Sequence, residues 1–82
     1  MQSFFAVKNN TAFPVISVAI DGKRIFYDIL KGDTSRFISL PSGSIAFTAY
    51  NNYERLFLDR WISVPPHKKL VLSVSEKGLF FI

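Results

Sequence analysis

The chain has 82 residues, of which 49% are hydrophobic and 16% aromatic. This composition excludes an intrinsically disordered chain, because disordered chains are poor in aromatic and β-branched residues. The absence of cysteine excludes a disulfide framework and a thiolate metal site. The formal net charge of +4 is moderate and suits the solubility of a small domain, so it does not by itself indicate a nucleic-acid or anionic-lipid partner.

Eight short runs of alternating apolar residues follow one another along the chain, each ending at turn residues. In chain order they cover residues 3–9, 15–20, 24–30, 35–40, 44–50, 55–64, 70–74 and 79–82. Asp21-Gly22 after the second run predicts a tight hairpin, because both residue types tolerate a positive φ. Pro41-Ser42-Gly43 after the fourth run predicts a second turn, since proline presets φ and glycine accepts the conformation that follows.

Runs of this length and spacing are typical of a β-sandwich or barrel. Each strand offers one apolar face, so two sheets must pack face to face, and short connections favour antiparallel neighbours. We therefore predict a single all-β domain over residues 1–82, an antiparallel β-sandwich of seven or eight short strands. Its predicted core consists of Ile16, Val18, Ile20, Ile25, Tyr27, Ile29, Ile45, Phe47, Leu56, Leu58, Leu70, Leu72 and Val74.

Three segments of the chain resemble, in order and spacing, a bacterial family. They are Val15-Ile16-Ser17-Val18-Ala19-Ile20-Asp21-Gly22-Lys23, Leu30-Lys31-Gly32-Asp33-Thr34-Ser35 and Leu40-Pro41-Ser42-Gly43-Ser44. The family is domain of unknown function family 4397, and the resemblance extends over roughly residues 4–75. Asn9 stands where that family often has an asparagine, whereas Ser17 and Ile45 replace its usual Asp and Tyr.

The resemblance implies an immunoglobulin-like or transthyretin-like β-sandwich, usually found in exported or envelope proteins, with no assigned activity. The first residues lack the basic leader and long apolar run of a signal peptide. No stretch reaches the ~18 apolar residues of a membrane-spanning helix, so we expect no membrane span. We expect a cytoplasmic location if the chain is complete, and the cell envelope if it is an excised domain.

The residue types that usually catalyse reactions or bind metals are scattered along the chain. His67 is the single histidine, whereas a catalytic triad needs a base oriented by a third group and a zinc site needs three or four ligands. The six carboxylates are dispersed, and the four glycines stand alone in turns rather than in a phosphate-binding loop. We therefore expect a protein that is not an enzyme and that uses no cofactor or metal.

The aromatic residues suggest a partner surface. Strict alternation places Phe26, Tyr50, Phe57 and Trp61 on outer sheet faces, where exposed apolar area usually marks an interaction site. The alternative is that a bulge or a register shift turns some of them inward, because a one-residue slip exchanges the two faces. The last run, residues 79–82, is apolar on both faces, and it either closes a sheet or presents an edge that pairs with another copy.

These observations favour a non-enzymatic interaction or structural module that binds a protein partner or self-associates into a homo-oligomer. One alternative is a small barrel that binds single-stranded nucleic acid, with basic residues flanking Phe26, Tyr50 and Trp61. The interspersed carboxylates weigh against it, so nucleic acid is not the partner we expect. A second alternative is a carbohydrate-binding module in which Trp and Tyr rings stack on sugars.

Overall fold

The computed structural model describes residues 2–82, which form eight β-strands and no helix. The strands are β1 (Gln2–Asn9), β2 (Val15–Ile20), β3 (Lys23–Leu30), β4 (Ile38–Pro41), β5 (Gly43–Tyr50), β6 (Leu56–Val64), β7 (Lys69–Ser75) and β8 (Gly78–Phe81). The prediction of an all-β sandwich is therefore confirmed. Within these residues no helix is long and apolar enough to cross a membrane.

The strands form two four-stranded sheets, in the orders β4-β1-β7-β8 and β3-β2-β5-β6. All neighbouring strands are antiparallel except β1 and β7, which run parallel. The expectation of antiparallel neighbours throughout is wrong at this pair. Five strands separate β1 from β7 along the chain, so no short hairpin fixes their relative direction.

The strand order can be compared with that of an immunoglobulin constant-type domain. In an immunoglobulin constant-type domain the first two strands share one sheet. Here β1 and β2 lie in different sheets, where β1 pairs with β4 and β7 and β2 pairs with β3 and β5. The arrangement differs from the immunoglobulin constant-type order.

The predicted turn at Asp21-Gly22 joins β2 to β3, and both residues have positive φ, 52° and 83°. The Asp21 carboxylate oxygen Oδ1 accepts a hydrogen bond of 2.9 Å from the backbone N–H of Ala46. Asp21 therefore both makes the turn and attaches it to the neighbouring strand β5.

The core lies between the sheets, and nine of the thirteen predicted core residues are buried in it. These are Ile16, Val18, Ile20, Ile29, Ile45, Phe47, Leu58, Leu72 and Val74. Ile25 and Leu70 are partly buried against this cluster. The prediction is wrong for Tyr27 and Leu56, which are exposed. Phe5, Val7 and Phe26 are also buried, although they are not among the predicted core residues.

A buried polar residue, Asn9, joins the end of β1 to two other segments. Its side-chain amide donates hydrogen bonds to the carbonyl of Ile29 at 2.9 Å and to that of Phe13 at 3.3 Å. Its side-chain oxygen accepts from the backbone N–H of Thr11 at 3.0 Å and from the Thr11 hydroxyl at 2.6 Å. The side-chain nitrogen and oxygen of Asn9 therefore both have hydrogen-bond partners. These bonds hold the loop over residues 10–14 against β3.

The same loop is held from the other side by Glu76, in the turn between β7 and β8. Its Oε2 accepts a hydrogen bond of 2.6 Å from the backbone N–H of Ala12. This hydrogen bond stabilises the ionised carboxylate and so lowers the pKa of Glu76 below its usual value.

Glu76→Gln should reduce the dependence of stability on pH in the acidic range. A depressed folded-state pKa gives a contribution that is present above the unfolded-state pKa and is lost as the pH falls through the folded-state pKa. Urea unfolding of both proteins at several acidic pH values measures this slope. An equal slope for the variant, or a Glu76 titration midpoint at or above the usual value, would contradict the assignment.

Candidate functional site

The four aromatic residues predicted to form a partner surface do not come together. Phe26 is only 1% exposed and belongs to the core, so its placement on an outer face is wrong. The pairing of β3 with β2 shifts twice, between Ile16 and Val18 and again between Val18 and Ala19. These bulges place extra residues in β3, which turns Phe26 inward and leaves Tyr27 exposed.

Phe57 also faces inward, contrary to the prediction. It is half-buried, packs against the core, and its ring centroid lies 4.9 Å from that of Phe13. The pairing of β5 with β6 shifts between Ala49 and Tyr50, and Leu56 is the residue in register with Tyr50. Because of this irregularity, Leu56 faces outward and Phe57 faces the core.

Tyr50 and Trp61 do lie on the outer face of the sheet β3-β2-β5-β6. The Arg24 guanidinium stands 4.2 Å from the centre of the Tyr50 ring. Its Nη1 atom also donates a hydrogen bond of 2.6 Å to Oε1 of Glu54. The bond to Glu54 raises the pKa of Arg24 further above its usual value. Tyr50 is consequently half-covered by a residue of its own chain, which lowers its value as a contact for a partner.

Trp61 remains open on this face, with 75% of its surface exposed. It is in register with Ala46, and Asp59 on the same strand is in register with Thr48. Leu56, Asp59 and Trp61 project from the edge strand β6, where Leu56 is in register with Tyr50, and we call these three the tryptophan face. Asp59 has no ion-pair partner within residues 2–82.

A larger apolar surface lies on the opposite side of the molecule, on the outer face of the sheet β4-β1-β7-β8. Phe4 is 56% exposed there, and so is Phe80. Both alternate along their strands with residues that face the core. Together with Phe37, Val71 and Ile82 they form what we call the phenylalanine face. At its centre, Ala6 is in register with Val71 and fully buried, so the larger side chains around it cover it.

Two lysines lie on the phenylalanine face. Lys69 is in register with Phe4, and its Nζ atom stands 4.7 Å from the centre of the Phe37 ring. Lys8 alternates with Val7 and Asn9 and so projects outward on the same strand. The four strands of this sheet contain no Asp or Glu. The surface is therefore apolar and basic.

The sequence contained only a partial signal for this face. The last run, residues 79–82, is apolar on both faces, and in the structure it pairs with β7 along one edge. Phe4 precedes the core residue Phe5, and two adjacent apolar residues leave the facing of a strand undetermined. Phe37 lies just before β4, where alternation does not decide its direction.

A cleft of about 170 Å³ lies between β3 and residues 33–36. Asp28 and Asp33 border it together with Arg36, and the lining includes hydroxyl groups but no histidine. Asp28 has a positive φ of 53° at the bulge of β3. Within residues 2–82, no group of three or more His, Cys, Asp or Glu side chains is placed to hold a metal ion. The cleft is therefore lined by carboxylates, a guanidinium group and hydroxyl groups.

No family model, curated protein or solved structure matches the chain. The resemblance to domain of unknown function family 4397 stays a prediction, as does the location in the cell.

Proposed function

We propose that this protein is a non-enzymatic interaction module that self-associates through the phenylalanine face. One observation carries the proposal: the sheet β4-β1-β7-β8 presents large apolar side chains on both of its sides. Its inner side packs in the core, and its outer side exposes Phe4, Phe80 and Ile82. A group of large exposed apolar side chains on one face of a small domain often marks an interaction site.

The geometry suits a partner that is itself flat. Sheets stack face to face at about 10 Å, with side chains of both faces interdigitating. Phe4, Phe37 and Phe80 project from three different parts of the sheet and so offer contacts across its width. Burying a phenylalanine side chain contributes about 1.5–3 kcal/mol, so a few such residues supply much of the free energy that a micromolar complex requires.

The double variant Phe4→Ser/Phe80→Ser should weaken self-association by at least about tenfold, since a loss of 1.4 kcal/mol already changes the dissociation constant by that factor. Size-exclusion chromatography with light scattering over a concentration series gives this comparison. Leu30→Ser is the matched control, because Leu30 is similarly exposed but lies in the other sheet beside the cleft. Equal association of the double variant and the unmodified protein would contradict the proposal.

The two alternative functions gain less support from the arrangement of their residues. The nucleic-acid hypothesis relied on Phe26, which is buried, and on Arg24, which is engaged by Glu54. The carbohydrate hypothesis retains Trp61 as an exposed ring, but no second exposed aromatic lies beside it on β6. Both stay predictions.

A further inference from the structure

The phenylalanine face has two cations and no anion on its strands. Lys8 and Lys69 project from it, and the four strands contain no Asp or Glu. Neither lysine has an ion-pair partner within residues 2–82. The Nζ atom of Lys69 instead stands 4.7 Å from the centre of the Phe37 ring, so its charge lies over the apolar surface. Because both cations are unpaired, an occupant of this face gains from supplying negative charge.

The segments that border the same sheet along the chain are also basic. They are residues 31–37 between β3 and β4, the loop between β6 and β7, and the turn between β7 and β8. Their cations outnumber their carboxylates by two to one, and these charged residues are Lys31, Arg36, Lys68 and Lys77 against Asp33 and Glu76. One of these carboxylates, that of Glu76, accepts a hydrogen bond from Ala12. The surroundings of the face therefore do not neutralise its two lysines.

Neutral polar side chains on the phenylalanine face already have hydrogen-bond partners. The Ser39 hydroxyl donates a hydrogen bond of 2.7 Å to Oε1 of Gln2. The Ser73 hydroxyl accepts one from the side-chain amide of Asn10. Polar groups that are hydrogen-bonded within the protein cost less to remove from water than free ones. An apolar occupant can therefore cover these side chains at reduced cost, whereas the lysines still require an anion.

The aromatic rings are spread across the face rather than grouped. Phe4 is in register with Lys69, and Phe80 is in register with Ser73, which is itself opposite Lys8. Phe4 and Phe80 thus lie four residues along the strands and two strands apart, roughly 16 Å at the normal spacings of a sheet. Successive bases of a single-stranded nucleic acid stack on neighbouring aromatic side chains, which this separation does not suit. A lipid surface accepts apolar side chains wherever they project, and its attraction scales with apolar area and anionic charge.

We propose that the phenylalanine face docks on an anionic lipid surface, a partner beyond the second copy proposed above. The phenylalanine rings enter the boundary between headgroups and acyl chains, and the two lysines lie among the anionic headgroups with their carbon stems against the apolar surface. A second copy covers the rings but adds two more lysines, and like charges across an interface are repulsive. The anionic lipid supplies the charge that this face lacks.

Sedimentation of the protein with lipid vesicles at low salt tests the docking. The unmodified protein should bind vesicles of phosphatidylcholine mixed with phosphatidylserine, and bind phosphatidylcholine vesicles at least tenfold more weakly. A lysine near an anionic surface contributes about fivefold in affinity, so Lys8→Gln/Lys69→Gln should bind about 25-fold more weakly. Phe4→Ser/Phe80→Ser should also lose at least about tenfold, since it removes apolar area while retaining every lysine.

Lys23→Gln/Arg60→Gln is the matched control for net charge. It removes two cations from the other sheet, where both residues are exposed and neither has an ion-pair partner within residues 2–82. Circular dichroism confirms the fold of each variant before binding is compared. The control should bind within about threefold of the unmodified protein, because its cations are not on the docking face. Equal losses for the two pairs of cations would show that net charge alone attracts the lipid and would overturn the docking.

Light scattering after size exclusion separates this proposal from the proposed self-association. A protein that is monomeric at every concentration and binds the phosphatidylserine vesicles would support the docking and contradict self-association. A protein that self-associates but does not bind these vesicles at low salt would overturn the docking and leave self-association in place.

Discussion

Phe47→Ala is expected to lower the free energy of unfolding by about 3–5 kcal/mol, the usual cost of deleting a buried phenylalanine side chain. Phe47 is fully buried on β5, which is flanked by β2 and β6. Neighbours on both sides restrict collapse around the cavity, so the cost should lie toward the upper end. The total stability of an 82-residue domain is about 4–12 kcal/mol at 0.05–0.15 kcal/mol per residue. The variant should therefore be largely unfolded or only marginally stable.

Urea unfolding followed by circular dichroism, at a protein concentration where association is negligible, measures the effect. Tyr27→Ala is the matched control, because Tyr27 is an aromatic residue of the same sheet that the structure places outside the core. The free energy of unfolding of Tyr27→Ala should fall by less than about 1 kcal/mol, as is usual for surface substitutions. Similar losses for the two variants would contradict the assignment of the core and of the bulges in β3.

Asn9→Leu is expected to lower the free energy of unfolding by about 3 kcal/mol, although it replaces a buried polar side chain by an apolar one of similar size. The substitution leaves the Ile29 carbonyl and the Thr11 N–H without their side-chain partner. An unsatisfied buried polar group costs about 1–3 kcal/mol. The loss of these bonds should also free the loop over residues 10–14, so its amide hydrogens should exchange faster.

Asn10→Ala provides the comparison for this prediction. The side chain of Asn10 makes one hydrogen bond, to the Ser73 hydroxyl, and the residue is exposed. Its replacement should cost about 1 kcal/mol or less. A smaller loss for Asn9→Leu than for Asn10→Ala would show that the Asn9 network does not hold the loop.

Much of the fold followed from local patterns. Ile16, Val18 and Ile20 alternate in a regular strand, so their inward facing was predictable from the period of two. Asp21-Gly22 predicted its turn because a hairpin of this length needs positive φ at both positions. The parallel pairing of β1 with β7 was not predictable, because it depends on how distant segments meet rather than on any turn.

The candidate site was predicted less well, for a physical reason that is visible in two strands. A bulge shifts the facing of every residue beyond it. In β3 the bulge includes Asp28 at positive φ, and a non-glycine residue gives no local sign of that conformation. Phe26 and Tyr27 therefore exchange places, and a shift in the pairing of β6 does the same for Leu56 and Phe57. Only Trp61 remained as a fully exposed member of the predicted surface.

Self-association of the sandwich is tested most directly by sedimentation velocity of the unmodified protein over a dilution series from high to low micromolar concentration. Reversible self-association predicts a sedimentation coefficient that rises with protein concentration and returns to its lower value on dilution. A single monomeric species with the same coefficient at every concentration would contradict it.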